Sequence, residues 1–162
     1  MKLLRLRPLG LALAILCPPL LGACAGGGSR GAVMSPSEIA TNGTHSFAFP
    51  AAEVFAATVG ALRTQGYVVT VANEEKGIIK TDRKPLRAQA TAGGGTAVAV
   101  EVTRQYYVRI ESTDPGNTTV VADPKVFIGE RDVTGDPVWM LEGPEGEREL
   151  WRRLFAEIQS NL

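Results

Sequence analysis

Few residues in this chain of 162 carry side chains suited to catalysis or covalent chemistry: two cysteines, one histidine and a scatter of carboxylates. Cys24 stands apart by its setting. Leu21, Gly22 and Ala23 come directly before it, after a basic start (Lys2, Arg5, Arg7) and an apolar segment over residues 9–21. Cys17 lies inside that segment and reads as one more apolar residue. The sole histidine, His45, has no cysteine partner and no local Ser or Asp motif. It is read as a surface residue on the alternate face from Phe47 and Phe49. Gly93-Gly94-Gly95 lacks a following Lys-Ser/Thr and follows no βα turn, so it is not a phosphate loop. Asp132, Asp136 and Glu142 do not match the spacing of an EF-hand and read as a solvated loop. Arg152-Arg153 reads as the solvent face of a helix. These patterns predict a protein that is not an enzyme and needs neither cofactor nor metal.

The stretch around Cys24 resembles the bacterial lipoprotein signal. In that family a leucine three residues before Cys, with small residues between, admits the lipoprotein signal peptidase. The resemblance implies that Leu21, Gly22 and Ala23 are the recognition residues. It also implies that Cys24 receives a diacylglyceryl group, becomes the mature N-terminus and is often acylated there. A transmembrane helix needs about 20 apolar residues; the run here is shorter and is broken by Pro18 and Pro19. An ordinary secretory signal has the same basic and apolar regions but does not require the cysteine. By the family's sorting pattern, Ala25 after the cysteine, rather than Asp, favours the outer membrane, with the domain on its periplasmic face. Two acyl chains suffice for stable anchoring without a basic patch.

Cleavage before Cys24 removes 23 of 162 residues and leaves 139, enough for one domain and a tether. It takes three of the 17 basic residues and none of the 17 acidic ones, giving a mature charge of −3 with His neutral. A mildly acidic domain is a poor partner for nucleic acid. No cysteine follows Cys24, which excludes disulfides, thiolate metal sites and cysteine nucleophiles downstream of it. Residues 24–43 are rich in Gly, Ser, Ala and Thr and are expected to form a flexible lipidated tether, with Met34 and Ile39 as the residues able to pin it. Some 19 residues of such coil reach roughly 25 Å.

The domain is expected over residues 44–162. Phe47 and Phe49 alternate in a first strand, and Pro50 opens a helix over 51–65. In that helix Phe55, Val59 and Leu62 recur at helical spacing and Gly66 supplies a left-handed C-cap. Strands follow at 67–71 and 78–81 around the turn Asn73-Glu74-Glu75-Lys76-Gly77. Residues 83–96 are polar and read as a mobile hairpin loop. Over 97–112, Val98, Val100, Val102, Tyr106, Val108 and Ile110 take even positions, while Glu101, Thr103, Gln105, Arg109 and Glu111 take odd ones. That period of two predicts one face on a core and one in water. Asp114-Pro115-Gly116-Asn117 turns the chain into a partner strand over 118–128, where Pro124 marks a bulge or edge. Residues 129–143 read as irregular, with Trp139 either a lid over the core or an exposed contact. Pro144 opens the last helix, whose Leu150, Leu154, Ile158 and Leu162 form one stripe widened by Trp151 and Phe155. Glu145 and Glu147 suit its positive end.

The order predicts an α+β two-layer sandwich: an antiparallel sheet of about four to five strands, with an N-terminal-half helix and a C-terminal helix on one face. Here the chain resembles the helix-grip domains of BamC-type outer-membrane lipoproteins, accessory parts of the β-barrel assembly machinery. The resemblance rests on Phe49-Pro50-Ala51-Ala52-Glu53-Val54-Phe55, Ala61-Leu62, Gly66-Tyr67 and Glu75-Lys76-Gly77-Ile78-Ile79-Lys80-Thr81. Proteins of that type carry two such domains, and this chain has room for one. The expected function is a non-catalytic, lipid-anchored envelope lipoprotein whose domain binds a protein partner, with barrel-assembly subunits as the implied candidates. Glu101, Gln105, Tyr107 and Arg109 on the odd face, with Trp139, are the candidate contact residues. The alternative is a carrier or sensor holding a small molecule or lipid between sheet and helices.

Overall fold

The computed structural model describes residues 34–93, 96–136 and 146–162. Helix α2 (Ala51–Thr64) follows Pro50, whose carbonyl accepts from Glu53 N and Val54 N at 3.1 Å, which makes Pro50 the cap rather than the first helical residue. The helix ends in a Schellman arrangement. Gly66, at φ +79°, donates to Arg63 O at 2.8 Å, and Tyr67 N donates to Leu62 O at 2.9 Å. Its inward stripe is Val54, Phe55, Thr58, Val59, Ala61 and Leu62.

Strands β1 (Thr44–Phe47), β2 (Val69–Asn73), β3 (Ile78–Thr81), β4 (Lys84–Gly93), β5 (Thr96–Asp114), β6 (Asn117–Ile128) and β7 (Arg131–Asp132) form one antiparallel sheet. The main path runs β1-β6-β5-β3-β2; β4 continues beside β5 beyond the end of β3, and β7 lies beside β6. The expected turn at 114–117 closes the β5–β6 hairpin, with Gly116 N donating to Asp114 Oδ1 at 3.0 Å. Pro124 lies between the parts of β6 that pair with β1 and β7, where β6 has no second ladder, in keeping with an edge position.

The even residues Val102, Tyr106, Val108 and Ile110 of β5, with Val120, Ala122 and Val126 of β6, face inward. Helix α2 and helix α3 (Glu147–Ser160) cover this face. Trp151 of α3 is fully buried and donates its indole N–H to Ala122 O at 3.0 Å. The result is the expected α+β sandwich, built on seven strands rather than four or five.

Three elements differ from expectation. Residues 84–93 form β4 rather than a mobile loop, held by a ladder with β5 that its polar sequence does not announce. The folded part begins at Met34, inside the stretch expected as tether. Met34 is buried, and helix α1 (Pro36–Asn42) is capped by Ser35 Oγ, which accepts from Glu38 N at 3.2 Å. Arg148 of α3 then ties α1 down through Glu38 at 2.6 Å. Helix α3 starts at Glu147, after Gly146 as cap. Pro144, Glu145, Trp139 and Glu142 lie outside the described residues, as do Leu21, Gly22, Ala23 and Cys24. No described helix is long and apolar enough to cross a membrane.

Candidate functional site

With both long helices on the even face, the odd face of β5 and its neighbours carries the surface open to a partner. The ladders place Tyr107 between Lys80 of β3 and Asp123 of β6, and Arg109 between Ile78 and Val121. Residues directly opposite in adjacent strands share a face, so these side chains form one patch. Tyr107 and Ile78 are 38% and 40% exposed, and Val71, opposite Lys80 in β2, is 43% exposed. Lys80 Nζ sits 5.1 Å from the Tyr107 ring centre, and the Arg83 guanidinium lies 3.8 Å from that of Phe127.

A cleft of about 480 Å³ runs across this face between Ile78, Tyr107, Arg109, Asp123, Lys125 and Phe127. It adjoins a groove of about 720 Å³ bounded by Met34, Ile39 and Thr44 on the α1 side and by Val121 and Asp132 on the sheet side. Asp123 Oδ1 is buried without a hydrogen-bond donor; Lys125 Nζ at 3.7 Å gives it an ion pair that is too long for a hydrogen bond. An apolar floor with tyrosine and arginine and a charged fringe suits protein recognition.

The expected contact residues divide. Glu101, Tyr107 and Arg109 are exposed on the odd face as expected. Gln105 is corrected: it is buried, and its amide donates to Thr81 O at 2.6 Å. The cause is a change of neighbour along β5. Strand β3 ends opposite Tyr107 and β4 begins opposite Arg104, so residues 105–106 lie between the two ladders, and Thr81 meets them there. Thr81 Oγ1 also accepts from Tyr106 N at 2.9 Å. His45 is exposed as expected, but its face is corrected. Positions 45 and 47 share a strand face, and the His45 ring lies 4.7 Å from that of Phe47 and stacks 5.3 Å from that of Phe155. Asp132 accepts from Thr134 N at 2.9 Å, and Asp136 pairs with Arg131 at 3.2 Å. Among the described residues no cluster of His, Cys, Asp and Glu is placed to hold a metal ion.

A second polar assembly lies inside the core. Arg104 occupies an even, inward position of β5 and is 2% exposed; Glu147, at the start of α3, is fully buried. Arg104 Nη1 donates to Glu147 Oε2 at 3.2 Å, and Arg104 Nε donates to the Tyr67 hydroxyl at 2.6 Å, where Nη2 also donates. Tyr106 completes the set by donating to Glu147 Oε1 at 2.9 Å. Burial raises the pKa of the Tyr67 and Tyr106 hydroxyls. Burial works against the charge of Arg104, but the oxygens of Tyr106, Glu147 and Tyr67 outweigh it and hold the guanidinium protonated. The visible signal in the sequence is an arginine at an inward position of an otherwise apolar register. Glu147 lies in the first turn of α3, where it suits the helix dipole as expected, and it also neutralises that arginine. Beside this cluster, Tyr67, Lys84, Arg104, Leu150 and Arg153 border a cleft of about 540 Å³ at the seam between sheet and helices. Burial lowers the pKa of Lys84 there, and Arg104 and Arg153 add to the effect.

No family model matches the chain, and no curated protein does. Among solved structures it is similar to a DUF4468 family protein from Bacteroides ovatus ATCC 8483, with a TM-score of 0.41. The two share 10% sequence identity over 73% of this chain and 83% of that chain. At that level the likeness bears on neither partner nor chemistry.

Proposed function

We propose that this protein is a non-catalytic lipoprotein, anchored through Cys24 to the periplasmic face of the outer membrane, whose domain holds a protein partner on the sheet face opposite α2 and α3. The observation that carries the binding role is the patch of Tyr107, Ile78 and Val71 left exposed together beside Arg109. Isolated exposed apolar residues are ordinary, but a contiguous group rimmed by charge marks a contact surface. Asp123 Oδ1 at the cleft, ion-paired with Lys125 but without a hydrogen-bond donor, adds a polar group that a partner's donor can satisfy. The anchor rests on the Leu21-Gly22-Ala23-Cys24 sequence, and barrel-assembly subunits are the partners implied by the BamC-type resemblance.

The test is affinity purification of tagged full-length protein from detergent-solubilised membranes, with quantitative mass spectrometry. Cys24→Ala is expected to abolish membrane fractionation and radiolabelled palmitate incorporation. Tyr107→Ala with Arg109→Ala is expected to deplete the recovered partner at least tenfold with the melting temperature unchanged; Gln105→Ala serves as a buried comparison. Recovery that is indifferent to the Tyr107 and Arg109 changes would reject this face as the binding surface.

A second reading, a carrier of a small ligand, draws on the cleft beside Tyr67 and Lys84. It receives less support, because Tyr106, Trp151, Leu62 and Leu154 fill the space between sheet and helices. Native mass spectrometry of the purified protein tests it; a stoichiometric co-purified ligand, displaced by Lys84→Glu, would favour it.

A further inference from the structure

We infer that the outer edge of β2 receives an extended, uncharged peptide segment of a partner protein as an added strand; this rests on the reading of the domain as a partner-binding module. Strand β2 ends the sheet, and its ladder is with β3 alone. The backbone groups on its other side therefore present the hydrogen-bonding pattern that an extended chain completes.

Comparison with the other edges singles β2 out. Edge strands are ordinarily blunted by charge, proline or brevity. Strand β4 carries Lys84, Pro85 and Arg87, and β7 is only Arg131-Asp132. Strand β1 spans four residues directly after α1 and presents no exposed large apolar side chain. In contrast β2 reads Val69-Thr70-Val71-Ala72-Asn73, with neither charge nor proline. Val68, just before it, is 66% exposed, the highest among the exposed large apolar residues described, and Val71 follows at 43%. Ile78 on β3, diagonal to Val71 and to Tyr107 of β5, carries apolar surface inward on the same face, beside Lys80, which lies between Val71 and Tyr107. A strand laid along β2 would set its outward side chains against Val71, at the end of that surface.

The neutral edge selects an uncharged segment with apolar residues at alternate positions. A second copy of this chain fits less well. Two-fold pairing would join only strands of five residues, with a register shift between Val69 and Val71, whereas a specific interface buries roughly 1,000 Å² or more. A longer partner segment can continue past both ends of β2.

The probe is a synthetic peptide of alternating valine and threonine, ending in two lysines for solubility, added to detergent-solubilised full-length protein. Hydrogen exchange of the amides over residues 68–73 is expected to slow at least tenfold on saturation, with α2 and α3 unaffected. Val71→Lys, at an exposed position, is expected to leave melting unchanged and weaken binding at least tenfold; the same peptide N-methylated at alternate amides is expected not to bind. Absence of slowing at 68–73, or equal binding by Val71→Lys, would overturn the inference. So would concentration-dependent self-association abolished by Val71→Lys, which would make a second copy the occupant. If the peptide fails while partner capture still depends on Tyr107 and Arg109, the edge inference falls and the binding face stands.

Discussion

Replacing Glu147 by Gln leaves Arg104 as a charge buried without its counter-ion. The guanidinium is 2% exposed, and Glu147 accepts both from it and from the Tyr106 hydroxyl. Removing one partner of a buried pair costs about 3–5 kcal/mol, because the other is left unpaired in a medium that solvates it poorly. At about 4 °C per kcal/mol for a domain of this size, the melting temperature should fall by about 12–20 °C. Arg104→Met alone should cost a similar amount by stranding the carboxylate. The double variant, Arg104→Met with Glu147→Leu, removes both charges and should recover most of the loss, since apolar replacements of buried pairs are often neutral or better. Tyr106→Phe separates the hydroxyl's share, about 1.5–3 kcal/mol for a hydrogen bond to a charged group. Urea unfolding of the unsubstituted protein, Arg104→Met, Glu147→Leu and their double variant in a double-mutant cycle gives the coupling directly. A cost for Glu147→Gln below about 1 kcal/mol, or a double variant as unstable as the two single losses combined, would refute the view of this cluster as a mutually dependent buried pair.

Gly77 sits at φ +61°, and a Cβ there would come 2.1 Å from Ile110 O. Gly77→Ala should therefore cost more than about 2 kcal/mol in urea unfolding, with the β2–β3 turn and the Ile110 N to Gly77 O bond of 2.8 Å disturbed. Arg148, through its hydrogen bonds to Glu38, holds that carboxyl below the ordinary glutamate range. A carboxyl depressed in the folded state stabilises above its unfolded pKa, and that contribution is lost as pH falls through the folded value. Amide exchange over residues 36–42 should accelerate on acidification below the ordinary glutamate range, and Arg148→Gln should remove that pH dependence.

Several elements were legible because a local rule and the tertiary structure agree at the same residues. Pro50 and Gly66 bracket α2 through terminal backbone geometry that needs no distant contact. The alternation along β5 reports burial directly, since one face of that strand meets the helices. Where long-range contacts decide, the sequence pattern is silent. Strand β4 is held by its ladder with β5, which no alternation in its own residues announces. Helix α1 is too short for a periodic stripe; its signal was Ser35 three residues before Glu38, a cap at a helix start. Gln105 has the polarity of a surface residue but lies where the neighbour of β5 changes, and that crossing is set by topology. His45 could have been placed from period two alone, since it shares parity with Phe47. Arg104 was the most informative residue passed over, because a charge at an inward position requires a partner that must come from elsewhere in the chain.

That partner also bears on which face of the sheet stays open. A shift of β5 by one residue against its neighbours would turn Tyr107 and Arg109 inward and carry Arg104 and Tyr106 to the outer side. Hydrophobicity penalises such a slip through Val102, Val108 and Ile110, which it would also turn outward, whereas at these positions each set contains one tyrosine and one arginine. The geometry around Glu147 separates them. Its two carboxylate oxygens take Arg104 on one side and Tyr106 on the other, and Tyr67 from the end of α2 closes the arrangement from above. Two helices and the longest strand thus meet at four polar side chains that cannot be satisfied in the slipped register. Together with Val102, Val108 and Ile110, the buried network fixes the inward set and with it the outward set, and so presents Tyr107, Arg109 and the β3 residues opposite them on the face away from α2 and α3.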